Sequence, residues 1–126
     1  MLVIKIEYMK TRKELKAVYK EMKFQMGAFQ IRNIANGKIF VGTSNNLAAI
    51  WNRHKFQLNM GSHRNVQLQK DWNALGEENF AFEVLEALVH EDGITDYNKD
   101  LAALEELFLE ELQPFGDRGY NKRKKT

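Results

Sequence analysis

The chain has no cysteine among its 126 residues, which excludes disulfides, thiolate metal sites and a cysteine nucleophile. It has one proline, Pro114, so proline can stop a helix at a single place only. No apolar run approaches the ~18 residues that a membrane helix needs. The opening Leu2-Val3-Ile4-Lys5-Ile6 is too short and too soon charged for a signal peptide, and a cytoplasmic protein is the expectation. Met9 would serve equally as the start, with residues 1–8 then an extension.

The most telling absence is of acid. From Met22 to Lys70 there is no Asp or Glu, while Lys23, Arg32, Lys38, Arg53, Lys55, Arg64 and Lys70 all fall there. Residues 71–117 reverse the sign, with fourteen acids against the single Lys99, and Arg118, Lys122, Arg123, Lys124 and Lys125 close the chain. Basic side chains bind nucleic acid by displacing counterions condensed on phosphate, so a locally basic surface can bind although the net charge is only +2. The competing reading is that these side chains simply solvate a surface.

Length and an apolar fraction of 44% fit one domain with its own core. Gly27-Ala28-Phe29-Gln30-Ile31-Arg32-Asn33 and Lys38-Ile39-Phe40-Val41-Gly42 read as strands around an Asn36-Gly37 turn, a strong hairpin signal. Leu47, Ile50, Trp51, His54 and Leu58 form one stripe of a helix that Asn45 or Asn46 caps and Gly61 ends. A second helix is expected from about Arg64 to Leu75 behind Ser62 as cap, burying Leu68, Trp72 and Leu75. Phe80, Phe82 and Val84 then alternate as a third strand. Leu101, Leu104, Phe108 and Leu112 make a last helix broken by Pro114. Ahead of these, Thr11-Arg12-Lys13-Glu14 is a capping box that opens an amphipathic helix over 11–24, on Leu15, Val18, Tyr19 and Met22. The fold class is α/β of the α+β kind: a small, mainly antiparallel three-stranded sheet flanked by helices, with an extra N-terminal helix. Residues 1–25 form an extension, 26–121 the domain and 122–126 a basic tail.

The ordered set of motifs resembles the GIY-YIG endonuclease family, including its phage, homing and excision-repair-nuclease-like members. The two tripeptides that name the family read here Gly27-Ala28-Phe29 and Phe40-Val41-Gly42. Thr43-Ser44, Asn46-Leu47, Ala48-Ala49, Ile50 and His54 follow in the family's spacing, with Ile50 where an Arg belongs. His63-Arg64-Asn65, Leu68-Gln69, Asp71-Trp72, Gly76 and residues 80–86 resemble the second helix and third strand. Glu105, Phe108, Leu112 and Gly119-Tyr120-Asn121 resemble the last helix and its closing Asn.

The resemblance implies phosphodiester hydrolysis, which needs an activated water, a divalent metal and a fixed cation for transition-state charge. In active relatives the two motif tyrosines ready the water, the Arg supplies the cation and the Glu holds the metal. Here Phe29 and Phe40 lack the hydroxyls, and Ile50 lacks charge and donor. A general base is commonly worth ~100- to 10,000-fold, and one preorganised donor ~100- to 1,000-fold. Losing both kinds leaves an impaired or lost catalyst, even though such effects do not simply add. His54 and Glu105 survive. His54 is a weak base, a phosphate holder or a core histidine. Glu105 holds Mg²⁺ or is one more residue of an acidic helix, and Asn121 fastens the chain by a backbone hydrogen bond.

Three functions stay open on the sequence. One is a domain that binds nucleic acid, DNA ahead of RNA, through Arg32, Lys38, Arg53, Lys55 and Arg64 without cutting it. The next is a slow or unusual Mg-dependent endonuclease, with Arg53, Arg32 or Arg64 standing in for the missing cation. The last is a regulatory protein-interaction module docking through helix 11–24.

Overall fold

The computed structural model describes residues 24–123, so all but the end of the expected helix 11–24, and Lys124 to Thr126 of the tail, lie outside the described residues. Three strands, β1 (Met26–Asn33), β2 (Ile39–Ser44) and β3 (Phe80–Leu88), form one antiparallel sheet in the order β2-β1-β3. Strand alternation decides what each face carries. Phe29 pairs with Gly42 and Ile31 with Phe40 on one side of β1, and with Val84 and Phe82 on the other. Cross-strand partners share a face, so both motif rings lie on the same one.

That face packs against α1 (Leu47–Met60) and α2 (Val66–Leu75). The core cluster comprises Phe29, Ile31, Leu47, Leu58, Leu68, Trp72, Phe80 and Tyr120, with Ile50, Trp51 and Phe82 packed on it. Aromatic rings dominate it: Phe29 stacks on Phe82 at 5.2 Å, Trp51 on Phe82 at 5.2 Å, and Trp72 lies 5.1 Å from Phe80. Such pairs add directional preference to area burial. The opposite face is covered over β2 and β1 by α3 (Asn98–Leu112), whose Leu101 and Leu104 are buried there with Ala28 and Val41.

Helix ends follow local chemistry and shift some expected boundaries. The Asn46 side chain accepts from Ala49 N–H at the start of α1, and Gly61 ends it in the left-handed region at φ 75°. α2 starts behind Asn65 rather than Ser62, because Asn65 Oδ1 accepts from Leu68 N–H at 3.0 Å. α3 begins at Asn98 and stops at Leu112, and Gln113 adopts φ 48° directly before Pro114. A residue preceding proline is disfavoured in the α region, which accounts for the stop.

The β2 edge is not left open. Tyr120 N–H donates to Ile39 O at 2.9 Å. The Asn121 side chain accepts from Val41 N–H and donates to Val41 O, both at 2.8 Å. The segment after α3 thus closes an edge that would otherwise invite a foreign strand. Among the described residues no helix is long and apolar enough to cross a membrane.

Candidate functional site

Both motif glycines are required by close approach. At Gly27 the backbone passes against β3, and a Cβ would collide with the Glu86 carbonyl oxygen. At Gly42 a Cβ would stand 2.8 Å from Cζ of the Phe29 ring, which lies across the strand at that point. The glycines therefore let β1 approach β3 and let the tip of the Phe29 ring approach β2. Phe29 is fully buried and Phe40 half-buried.

His54 of α1 stands over these rings, its centroid 5.7 Å from Phe29 and 5.6 Å from Phe40. A second imidazole, His63, meets it: His54 Nδ1 and His63 Nε2 are 2.8 Å apart. His63 comes from the loop between α1 and α2, which α2 pins in place. Gln69 accepts from His63 N–H at 3.0 Å and donates to Leu58 O at 2.8 Å and to Asn73 Oδ1 at 2.9 Å. Asn65 N–H donates to His63 Nδ1 at 3.0 Å.

This environment disfavours imidazolium. Burial, the facing His63 and the charge of Arg53, in that order, push His54 down to about 4. Burial likewise lowers His63. The Asn65 group facing His63 is an N–H, not a carbonyl, and it needs Nδ1 unprotonated.

The structure thus brings Phe29, Phe40 and His54 together and adds His63. Ile50, one turn before His54, packs against the core and leaves no cation there. Arg32 lies on the other face of the sheet, two residues along from Gln30. Its Nε donates to Glu83 Oε1 at 2.8 Å and its Nη2 to Oε2 at 3.2 Å. Strand alternation alone keeps Arg32 from replacing the missing arginine. Arg53 and Arg64 are exposed, Lys55 Nζ lies 5.2 Å from the Trp51 ring centroid, and Lys38 Nζ 5.9 Å from that of Tyr120.

Glu105 is half-buried on α3, the helix that covers the face opposite the histidines. Among the described residues no group of three or more His, Cys, Asp or Glu converges on one point. A hard cation takes six or more oxygens or keeps its waters, so the side chains present do not build a resident cage. Glu105 fits only as one ligand of an ion completed by phosphate and water.

His63 was visible in the sequence as part of the second-helix match but carried no role there. Nine residues separate it from His54, a spacing that no helical face explains, and only the reversal of the chain at Gly61 brings the rings together. The Tyr120 hydroxyl also carries more than its motif suggests. It donates to Asp71 at 2.6 Å and accepts from the buried Asn33 Nδ2 at 3.0 Å, and burial with the Asp71 contact pushes its pKa up to about 12.

Known proteins share this fold. Residues 25–121 match the family described as the GIY-YIG catalytic domain. The chain is 33% identical over 96 residues to intron-associated endonuclease 1 of Enterobacteria phage T4, in an alignment covering 75% of this chain and 36% of that protein. It therefore spans about a third of the length of that relative. Among solved structures it is similar to the catalytic domain of intron endonuclease I-TevI in a point-mutant form, with TM-score 0.67, 27% identity and coverage of 82% of this chain and 98% of that one. A second structure of the catalytic domain of homing endonuclease I-TevI gives TM-score 0.65 and 28% identity over 79% of this chain and 99% of that one.

Proposed function

The chain belongs to the GIY-YIG family, and from that premise we propose that it binds nucleic acid, DNA before RNA, through the family's active face while its hydrolytic chemistry is impaired. The observation that carries this reading is the make-up of the cleft. Two phenylalanine rings and an isoleucine occupy the three positions where the resemblance implies two hydroxyls and a guanidinium, and Ile50 is committed to packing. A water between these apolar groups has neither a base to take its proton nor a fixed charge beside the phosphorus.

Binding needs less than cutting. Arg53, Lys55 and Arg64 lie in the acid-free stretch of sequence that also holds both site histidines, and these cations can neutralise backbone phosphates. Phe56 and Met60, one turn apart on α1 and 65% and 66% exposed, add apolar surface suited to a base or sugar.

One observation favours slow cleavage as the second reading: the charge of Arg53 acts on His54, so a cation does stand near the cleft. A supercoiled-plasmid nicking assay in Mg²⁺ and Mn²⁺ decides between the two. The wild type is expected to cut at background rate, and the triple variant Phe29→Tyr/Phe40→Tyr/Ile50→Arg to gain at least ~100-fold. Wild-type nicking that Glu105→Ala abolishes would overturn impaired catalysis and establish the slow enzyme. Salt-independent binding, or none, to short DNA and RNA duplexes would remove the nucleic-acid reading.

A further inference from the structure

We propose that His63 and His54 form a directional hydrogen-bond chain that presents His54 Nε2–H as a fixed neutral donor to a phosphodiester oxygen. The inference rests on reading the cleft as a nucleic-acid surface, and it assigns His54 to holding phosphate in place of accepting a proton. His63 is a positioning residue.

The direction of the chain follows from its first link. The Asn65 amide can only donate, so His63 Nδ1, 3.0 Å away, is the acceptor and carries no proton. Neutral imidazole has one N–H, which must then be on His63 Nε2. That nitrogen is 2.8 Å from His54 Nδ1, so His63 donates and His54 accepts. The single proton of neutral His54 is thereby placed on Nε2. Adding a proton anywhere breaks a link. A proton on His54 Nδ1 would face the Nε2–H of His63, and one on His63 Nδ1 would face the Asn65 N–H.

The free end of the chain reaches the surface. Among the described residues His54 Nε2 has no hydrogen-bond partner, and no buried side-chain nitrogen or oxygen among them lacks one, so this donor is not buried within the described residues. Phe29 and Phe40 flank the ring with groups that cannot compete for its proton. The charge of Arg53 acts on the same ring and favours an anion beside it. A neutral donor between apolar walls, with a cation nearby, suits a phosphate oxygen and gives no route for removing a proton from water.

Long-range ¹H–¹⁵N NMR of the histidine side chains in the wild-type protein at pH 7 tests the chain itself. Both His54 and His63 are expected with a protonated Nε2 and a bare Nδ1. An imidazolium, or an Nδ1–H tautomer at either ring, overturns the assignment. Titrating a short DNA duplex should then shift the His54 Nε2 resonance ahead of that of His90. His54→Gln, which keeps a donor near the Nε2 position, should bind within ~3-fold of wild type, whereas His54→Phe should lose roughly 10- to 100-fold. His63→Phe should leave His54 a mixture of tautomers and weaken binding by a smaller factor. If the duplex binds but Nε2 does not respond and His54→Phe matches wild type, this inference falls while the nucleic-acid reading stands. If the duplex does not bind at all, both fall, whatever the tautomers.

Discussion

Tyr120 and the pair Phe29/Phe40 occupy the same aromatic layer, yet one keeps its hydroxyl and the others have none. The Tyr120 hydroxyl is tied inward: it donates to Asp71 and accepts from Asn33, while the Tyr120 backbone carbonyl accepts from Asn65 Nδ2 at 2.7 Å. This network ties the closing segment to β1 and α2. The Tyr120 hydroxyl thus serves to hold parts of the domain together, whereas Phe29 and Phe40 lack the hydroxyls that the family resemblance places on the two motif strands.

Removing the retained hydroxyl should therefore show the larger effect on stability. In Tyr120→Phe the Asp71 carboxylate loses its donor and the fully buried Asn33 Nδ2 its acceptor. Leaving a buried polar group unpaired costs about 1–3 kcal/mol, against little for changing a group already bonded to water. Chemical denaturation should show a loss of that order for Tyr120→Phe. Phe40→Tyr, at a half-buried ring, should move the midpoint far less. Equal losses would mean that the Tyr120 hydroxyl does not hold the domain together.

The histidine pair gives a second, smaller contrast, read by pH. His54 titrates near its ordinary 6.5 when unfolded and at about 4 when folded, so the unfolded chain binds the proton first. Its contribution is fully present above pH 6.5 and is lost as pH falls from there through about 4. Allowing for solvent screening of a ring that is only partly buried, the loss is on the order of 1–2 kcal/mol. His54→Gln should flatten the stability profile between pH 6.5 and 4.5, while Tyr120→Phe lowers the curve without changing its slope. A slope unchanged in His54→Gln would show that the pair carries no proton linkage.

How much of this was legible beforehand divides along similar lines. Alternation about Gly27-Ala28-Phe29 and Phe40-Val41-Gly42 predicts the hairpin, and the three-stranded antiparallel fold agrees with it, because period-two patterns and short turns are local physics. The stripe of Leu47, Ile50, Trp51, His54 and Leu58 likewise indicates which side of α1 meets the sheet. The ordered spacings are sufficient for the family, and the match over residues 25–121 agrees. The His54–His63 contact was not legible, since it depends on how tightly the loop after Gly61 folds back and on Gln69 holding it. The cap of α2 was misplaced for a related reason. Ser62 and Asn65 are both good capping types, and only the loop path shows which hydroxyl or amide faces the free N–H groups.

The smallest expected effect sets apart two arginines that composition treats alike. Arg32 and Arg53 both lie in the acid-free stretch, but Arg32 is on β1, where alternation turns it away from the motif rings and Glu83 neutralises it. Arg53 is on exposed α1 beside His54. If the histidine side of the sheet is where phosphate binds, Arg53→Ala should reduce the slope of log affinity against log salt by about one counterion. Arg32→Ala should leave that slope alone, because an arginine paired with Glu83 on the far face neutralises no phosphate and so displaces no counterion from the DNA. Measured by fluorescence anisotropy on one duplex over a salt series, the two substitutions report the polarity of the domain directly. Equal slopes in both variants would mean that bound DNA does not distinguish the two faces, and the histidine cleft would lose its claim to be the binding side.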